Sequence, residues 1–170
     1  MKQLYLILAL LVTGLVAQGQ SLSDLDSANF FDFWVGEWNA AWDEGKGVEV
    51  YGTNSITHQL DGKVINEQFR ITGGQNAGIK GTSNSVFQPR TNTWRQGWAD
   101  NQGGYFDFIG QFDGDKRMFS THPRQVGADM IVQRMVFYDI KEESMTWDWE
   151  ISRDGGKTWS LSWRIFYTRK

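Results

Sequence analysis

From Gly36 to Thr168 the chain alternates apolar and polar side chains with a period of two, and the alternation breaks and restarts at short turn signals. The runs predict ten strands, over 36–43, 47–59, 63–72, 78–88, 93–100, 104–112, 116–122, 129–140, 144–152 and 158–168. Between them stand Asp61-Gly62, Gly73-Gly74, Gly103-Gly104, Asp113-Gly114 and Asp154-Gly155-Gly156, residues that tolerate the positive φ of hairpin turns. Pro89-Arg90-Thr91-Asn92 is a Pro-led tight turn. Helical period is not sustained anywhere. Strands joined so tightly are antiparallel neighbours, because a parallel crossover needs about a dozen residues or more. A long meander leaves two exposed edges unless it closes on itself. The pattern therefore predicts an all-β fold: one antiparallel up-and-down β-barrel of about ten strands, wide enough to hold one small ligand. A β-sandwich would need longer crossing connections. Phe30-Phe31-Asp32-Phe33-Trp34 is too aromatic for a loop in water and is expected as a short turn or 3₁₀ segment that closes one end. Residues 20–29 are polar and read as a flexible lead-in.

The first residues follow a different logic. Lys2 is the only charge before Asp24, an apolar run extends from Leu4 to Ala17, and Ala17-Gln18-Gly19 puts small residues where a signal peptidase reads. This predicts a secretory signal over 1–19 and a mature domain over 20–170, periplasmic or secreted. An apolar run of about 14 residues is short for a membrane span, which needs roughly 20. No membrane span is expected in the mature protein.

Composition narrows the chemistry. The 170 residues suit one domain, and 17 Lys+Arg against 20 Asp+Glu give a net charge of −3 with no basic tract. That balance argues against a nucleic-acid partner. The chain has no Cys, which removes disulfides, thiolate metal sites and Cys nucleophiles. Its two His fall in no metal motif, so neither metal nor cofactor is expected. Nine Trp, eleven Phe and five Tyr supply the aromatic surface from which a lumen wall can be built.

Gly36-Glu37-Trp38 opens the first strand. Gly36 lets the backbone approach the aromatic plug, and Trp38 can cap one end of the barrel. The segments Phe33-Trp34-Val35-Gly36-Glu37-Trp38, Thr93-Trp94-Arg95-Gln96-Gly97-Trp98-Ala99-Asp100, Ser152 to Trp159, and Tyr167-Thr168-Arg169 together resemble an uncharacterised family of exported bacterial proteins with an F-W-x-G-x-W opening, in the lipocalin-like (calycin) superfamily. The resemblance implies a barrel and no settled activity. It also implies an Arg from the end of the chain over Trp38, a cation–π contact worth roughly 0.5–2 kcal/mol, with Arg164 or Arg169 as the partner. Ser152 to Trp159 matches the S-x-D-x-G-x-T-W pattern of an Asp-box. In that hairpin Asp154 holds the turn backbone and Trp159 packs inward. A single copy reads as a well-built hairpin rather than as glycosidase chemistry.

Alternation then assigns faces. Ile65, Glu67, Phe69 and Ile71 share the apolar side of their strand, so Glu67 is expected inside, either paired with an inward Arg or Trp N–H or acting as a ligand anchor or base. Trp94, Gln96 and Trp98 share a face, as do Met145, Trp147, Trp149 and Ile151. The leading reading is a barrel that binds a small, partly apolar or ring-containing ligand through Glu67, Phe69, Trp94, Gln96, Trp98, Trp147 and Trp149. An alternative is a barrel enzyme (lyase, isomerase, cyclase or hydrolase) with Glu67 as base and His58 or His122, both near rims, as acid. A second alternative is a glycan-binding module, which needs Trp94, Trp98 and Trp149 exposed on a flat surface. A purely structural barrel would fill its lumen. The polar segments Thr121 to Gly127 and Gly73 to Gly78 are candidate mouth loops.

Overall fold

The computed structural model describes residues 27–45 and 47–170, and the leader read at 1–19 lies outside the described residues. Among the described residues eleven strands follow one another: β1 (Gly36–Asp43), β2 (Glu49–Gln59), β3 (Val64–Ile71), β4 (Lys80–Gln88), β5 (Thr93–Asp100), β6 (Tyr105–Asp113), β7 (Lys116–Thr121), β8 (Arg124–Val126), β9 (Asp129–Tyr138), β10 (Ser144–Ser152) and β11 (Ser160–Arg169). Every pairing between them is antiparallel. β1 pairs with both β2 and β11, while β9 pairs with both β7 and β10. The ring therefore closes through ten strands, the all-β up-and-down barrel that the pattern predicts. One strand differs. The segment Thr121 to Gly127, read as a polar connection, contains β8, which pairs only with the start of β9 outside the ring. Its three residues are all exposed, the short polar form in which edge strands avoid further pairing.

Two faces follow from the period of two. On β3, Ile65, Glu67, Phe69 and Ile71 are buried. The outward residues form polar ladders with β4: Asn66 donates to Asn84 (2.9 Å) and Gln68 to Thr82 (2.9 Å).

The aromatic turn closes one end. Asp32–Trp34 is a 3₁₀ turn, and it carries Phe31 and Trp34 into the core at 1% exposure each. Phe31 stacks on Phe119 at 4.2 Å and meets Trp94 edge-on at 5.2 Å; Trp34 meets Phe137 edge-on at 5.2 Å. Fully burying one such ring stabilises the fold by about 1.5–3 kcal/mol. The polar lead-in is ordered where it is described: Ser27–Asn29 is a 3₁₀ turn whose Ser27 carbonyl accepts from the Trp94 indole (2.7 Å).

Of the two arginines that could cover Trp38, it is Arg169. Its guanidinium sits 4.2 Å from the Trp38 ring centroid and donates to the carbonyls of Val35, Phe33 and Glu142. Arg164 instead points outward and forms a two-pronged ion pair with Asp148 (both 2.7 Å). Gly36 sits at φ 142°, and a Cβ there would fall 2.0 Å from Arg169 Nη1.

The Asp-box hairpin joins β10 to β11. Asp154 Oδ1 accepts from the Lys157 and Thr158 amides and the Ser152 hydroxyl, and Oδ2 from the Thr158 hydroxyl. Trp159 departs from the inward packing expected of it. It lies 3.7 Å under the Arg134 guanidinium, and Arg134 is itself paired with Glu150 (2.6 Å).

Candidate functional site

The plugged end is filled, and the other end is not. In an up-and-down ring the turns after β1, β3, β5 and β10 share one rim, and a cavity of about 610 Å³ opens there. Asp43 at the end of β1, Glu44 and Gly45 after it, Asn76 and Ile79 after β3, Asp100 at the end of β5 and Ser162 at the start of β11 surround the mouth. Of the two loops expected near a mouth, the one at Gly73–Gly78 reaches the cavity, through Asn76. The Glu44 carboxylate holds it by accepting the Gln75 amide (3.2 Å).

The wall is aromatic. Phe69, Trp98, Trp147 and Trp149 line the cavity, as the alternation of β3, β5 and β10 places them. Trp42, Trp163, Phe106 and Phe108 line it too. Trp147 and Trp149 lie nearly parallel (6.3 Å, 11°), while Trp163 stands edge-on to both Trp42 (5.2 Å, 82°) and Trp147 (5.5 Å, 83°). Glycines within β2 and at the start of β4 make room for two of these indoles. A Cβ on Gly81 would fall 1.9 Å from the Trp98 ring, and one on Gly52 would fall 3.2 Å from the Trp42 ring. Trp98 donates to Asp100 (3.2 Å), which also accepts the Gly104 and Gln102 amides.

At the floor stands Glu67, 5% exposed. It is held by neutral donors, not by the inward Arg or Trp N–H considered from the sequence. Asn54, diagonal to it on β2, donates to Oε1 (2.7 Å), and Ser83, opposite it on β4, donates to Oε2 (2.7 Å). Burial pushes the carboxyl up from its ordinary 4.5 to about 7, and the two donors only partly offset that. Tyr167 closes the floor from β11, and Asn54 also reaches its hydroxyl (3.4 Å). Burial, and after it the charge of Glu67, raises the Tyr167 hydroxyl well above its ordinary 10. Every charged side chain on the cavity wall is a carboxylate: Asp43, Glu44, Glu67 and Asp100. Among the described residues no Lys, Arg or His lines it.

Trp94 and Gln96, expected on the ligand wall, do not line the cavity. Trp94 belongs to the plug, against Phe31 and Phe87. Gln96 is buried below the cavity floor and donates to Ser85 (2.9 Å). The two imidazoles are elsewhere as well. His58 is exposed near Asp32 at the plugged end (3.8 Å), and His122 is exposed after β7. Neither lines the cavity, so the pairing of Glu67 with His58 or His122 that the enzyme alternative requires is not formed. Trp94 is 6% exposed, and Trp98 and Trp149 face the lumen, so the three do not form the flat outer surface of a glycan-binding module. No group of three or more potential metal ligands occurs among the described residues, and no helix there is long and apolar enough to cross a membrane.

Alternation alone could have placed the missed wall. Trp42 shares a face with Trp38 on β1, Trp163 shares one with Ile165 and Tyr167 on β11, and Phe106 shares one with Phe108 on β6.

Fold and site together define a class: a closed ten-stranded antiparallel barrel with a plugged base and an open, Trp-walled lumen. No protein-family model and no curated protein matches the chain.

Proposed function

We propose that this is an exported, lipocalin-like barrel that holds a small, partly apolar, ring-containing molecule in its lumen. The cavity carries the reading. Its volume of about 610 Å³ falls in the range of small-molecule sites, roughly 300–1,000 Å³, and its make-up is theirs: aromatic walls with a few convergent polar groups. Indole faces suit flat rings, because offset and edge-on contacts add to the area buried. Glu67 and Tyr167 supply polar contacts that orient the guest. Export rests on the pattern at residues 1–19.

Intrinsic fluorescence tests the binding reading, since five indoles (Trp42, Trp98, Trp147, Trp149 and Trp163) line the cavity. Ring compounds from a panel of aromatics, lipids and oligosaccharides shift or quench the emission in a saturable way. A panel that leaves the emission unchanged overturns the reading.

A further inference from the structure

The polar atoms of the lumen are unevenly chosen. Four carboxylates meet the cavity, and no described cation does. Buried carboxylates are ordinarily paired with Arg or Lys, because an isolated ion loses its hydration on burial. Among the described residues Glu67 has two neutral donors, one on each oxygen, and each oxygen retains a free lone pair. Asn54 Oδ1, beside it and wholly buried, has no hydrogen-bond partner, and neither does Glu44 Oε1 at the mouth. Two buried donors of the wall lack an acceptor among the described residues: the Trp163 indole N–H and the Tyr167 O–H, whose oxygen accepts from Asn54. The balance at floor and mouth is thus an excess of acceptors. Electrostatics adds a second argument from different atoms. Aromatic faces carry negative charge density and Trp binds cations best. Here Trp163 stands nearly at right angles to Trp42 and to Trp147, and all three line the cavity.

We propose that the lumen selects an organic cation: a substituted ammonium or guanidinium compound whose apolar part lies against the Trp walls and whose charged head lies over Glu67. The proposal rests on the lumen being a binding site and goes further by fixing the charge of the guest. An N–H-bearing head supplies donors to the free lone pairs of Glu67, and it is the counter-charge that no described residue of the cavity wall provides. The mouth carboxylates Asp43, Glu44 and Asp100 raise the local concentration of such a guest and repel anions.

Three probes of similar shape and different charge decide it: 2-phenylethylammonium, 2-phenylethanol and 3-phenylpropionate, titrated against the full-length protein by Trp fluorescence in mildly alkaline buffer. The ammonium compound is expected to bind at least about tenfold tighter than the alcohol, and the carboxylate weakest of all. In E67Q the preference for the ammonium over the alcohol shrinks about tenfold. If the alcohol or the carboxylate binds as tightly as the ammonium, the cation proposal is overturned and the lumen remains a binding site. If all three leave the emission unchanged, both readings fall. The comparison of probes on the unaltered protein is decisive by itself, so the test survives even if E67Q does not fold.

Discussion

Arg169 lays its guanidinium 4.2 Å over Trp38, and the penultimate residue of the chain thereby locks the plug at the barrel's closed end. The same guanidinium donates to the carbonyls of Val35, Phe33 and Glu142. It thus ties together the aromatic turn, the β9–β10 turn and β11. Arg169→Ala removes the cation–π contact and leaves carbonyls without donors, at a cost of about 2–4 kcal/mol. Arg169→Lys keeps the charge but loses the planar fork, and recovers less than half of that. Thermal unfolding checks both; an unchanged Tm in R169A would refute the lock.

Gly36 and Arg169 act as one unit. Gly36→Ala puts a Cβ 2.0 Å from Arg169 Nη1 at a backbone φ of 142°. The strain alone costs about 1–3 kcal/mol. Because G36A also displaces the guanidinium, the double variant G36A/R169A is less destabilised than the sum of the single variants. Strict additivity in a double-mutant cycle would show that the two residues are independent.

Glu67 makes the unliganded barrel less stable as pH rises. Its carboxyl titrates near 4.5 when unfolded and at about 7 when folded. Between those values the unfolded chain gives up the proton and the folded chain keeps it, so stability falls with pH and levels off above about 7. The full difference is on the order of 3 kcal/mol. Tyr167 is the other titratable group facing it, and that hydroxyl stays neutral throughout this range. Neutral Asn54 and Ser83 face it from the neighbouring strands. Urea unfolding from pH 4.5 to 8 should show the decline in the unaltered protein and a flatter profile in E67Q. Parallel profiles would contradict the assignment.

Gly81 sets the position of one wall indole. A methyl group there would lie 1.9 Å from the Trp98 ring, so Gly81→Ala forces Trp98 to move, at an overpacking cost of about 1–3 kcal/mol. Emission of the unliganded protein shifts to longer wavelength as Trp98 moves towards water, and ring compounds bind more weakly. Unchanged emission and affinity would show that the indole has space to spare.

The Asp154 hairpin gives a local readout. Four donors hold its carboxyl far below the usual carboxylate range, the Thr158 hydroxyl first among them. Asp154→Ala frees the Lys157 and Thr158 amides, and hydrogen exchange there speeds up while the plug around Phe31 keeps its protection. The anchor fails as pH drops through the depressed pKa, since the ionised form makes these bonds. Exchange rates unaffected by the substitution would mean that the turn holds without Asp154.

The sequence by itself determined the barrel. A period of two along β1 to β11, turn residues with positive φ and connections too short for a crossover leave antiparallel closure as the main outcome, and the strand ends agree with the turn signals to within a few residues. It also placed Glu67, Phe69, Trp98, Trp147 and Trp149 on inward faces. Side-chain direction on a strand is a local property, and local properties are written in the chain. Only the tertiary structure decided which inward residues meet the cavity and which meet the plug. Trp94 and Trp98 share a face of β5, yet the first is packed under the aromatic turn and the second lines the lumen. Height along the barrel separates them, and height depends on where the plug residues 30–34 insert, a contact between segments far apart in the chain. The choice of Arg169 over Arg164, and the neutral donors on Glu67, were settled in the same way. The first depends on the register of β1 and β11, which become neighbours only when the ring closes, and the second on the registers of the β2–β3 and β3–β4 hairpins.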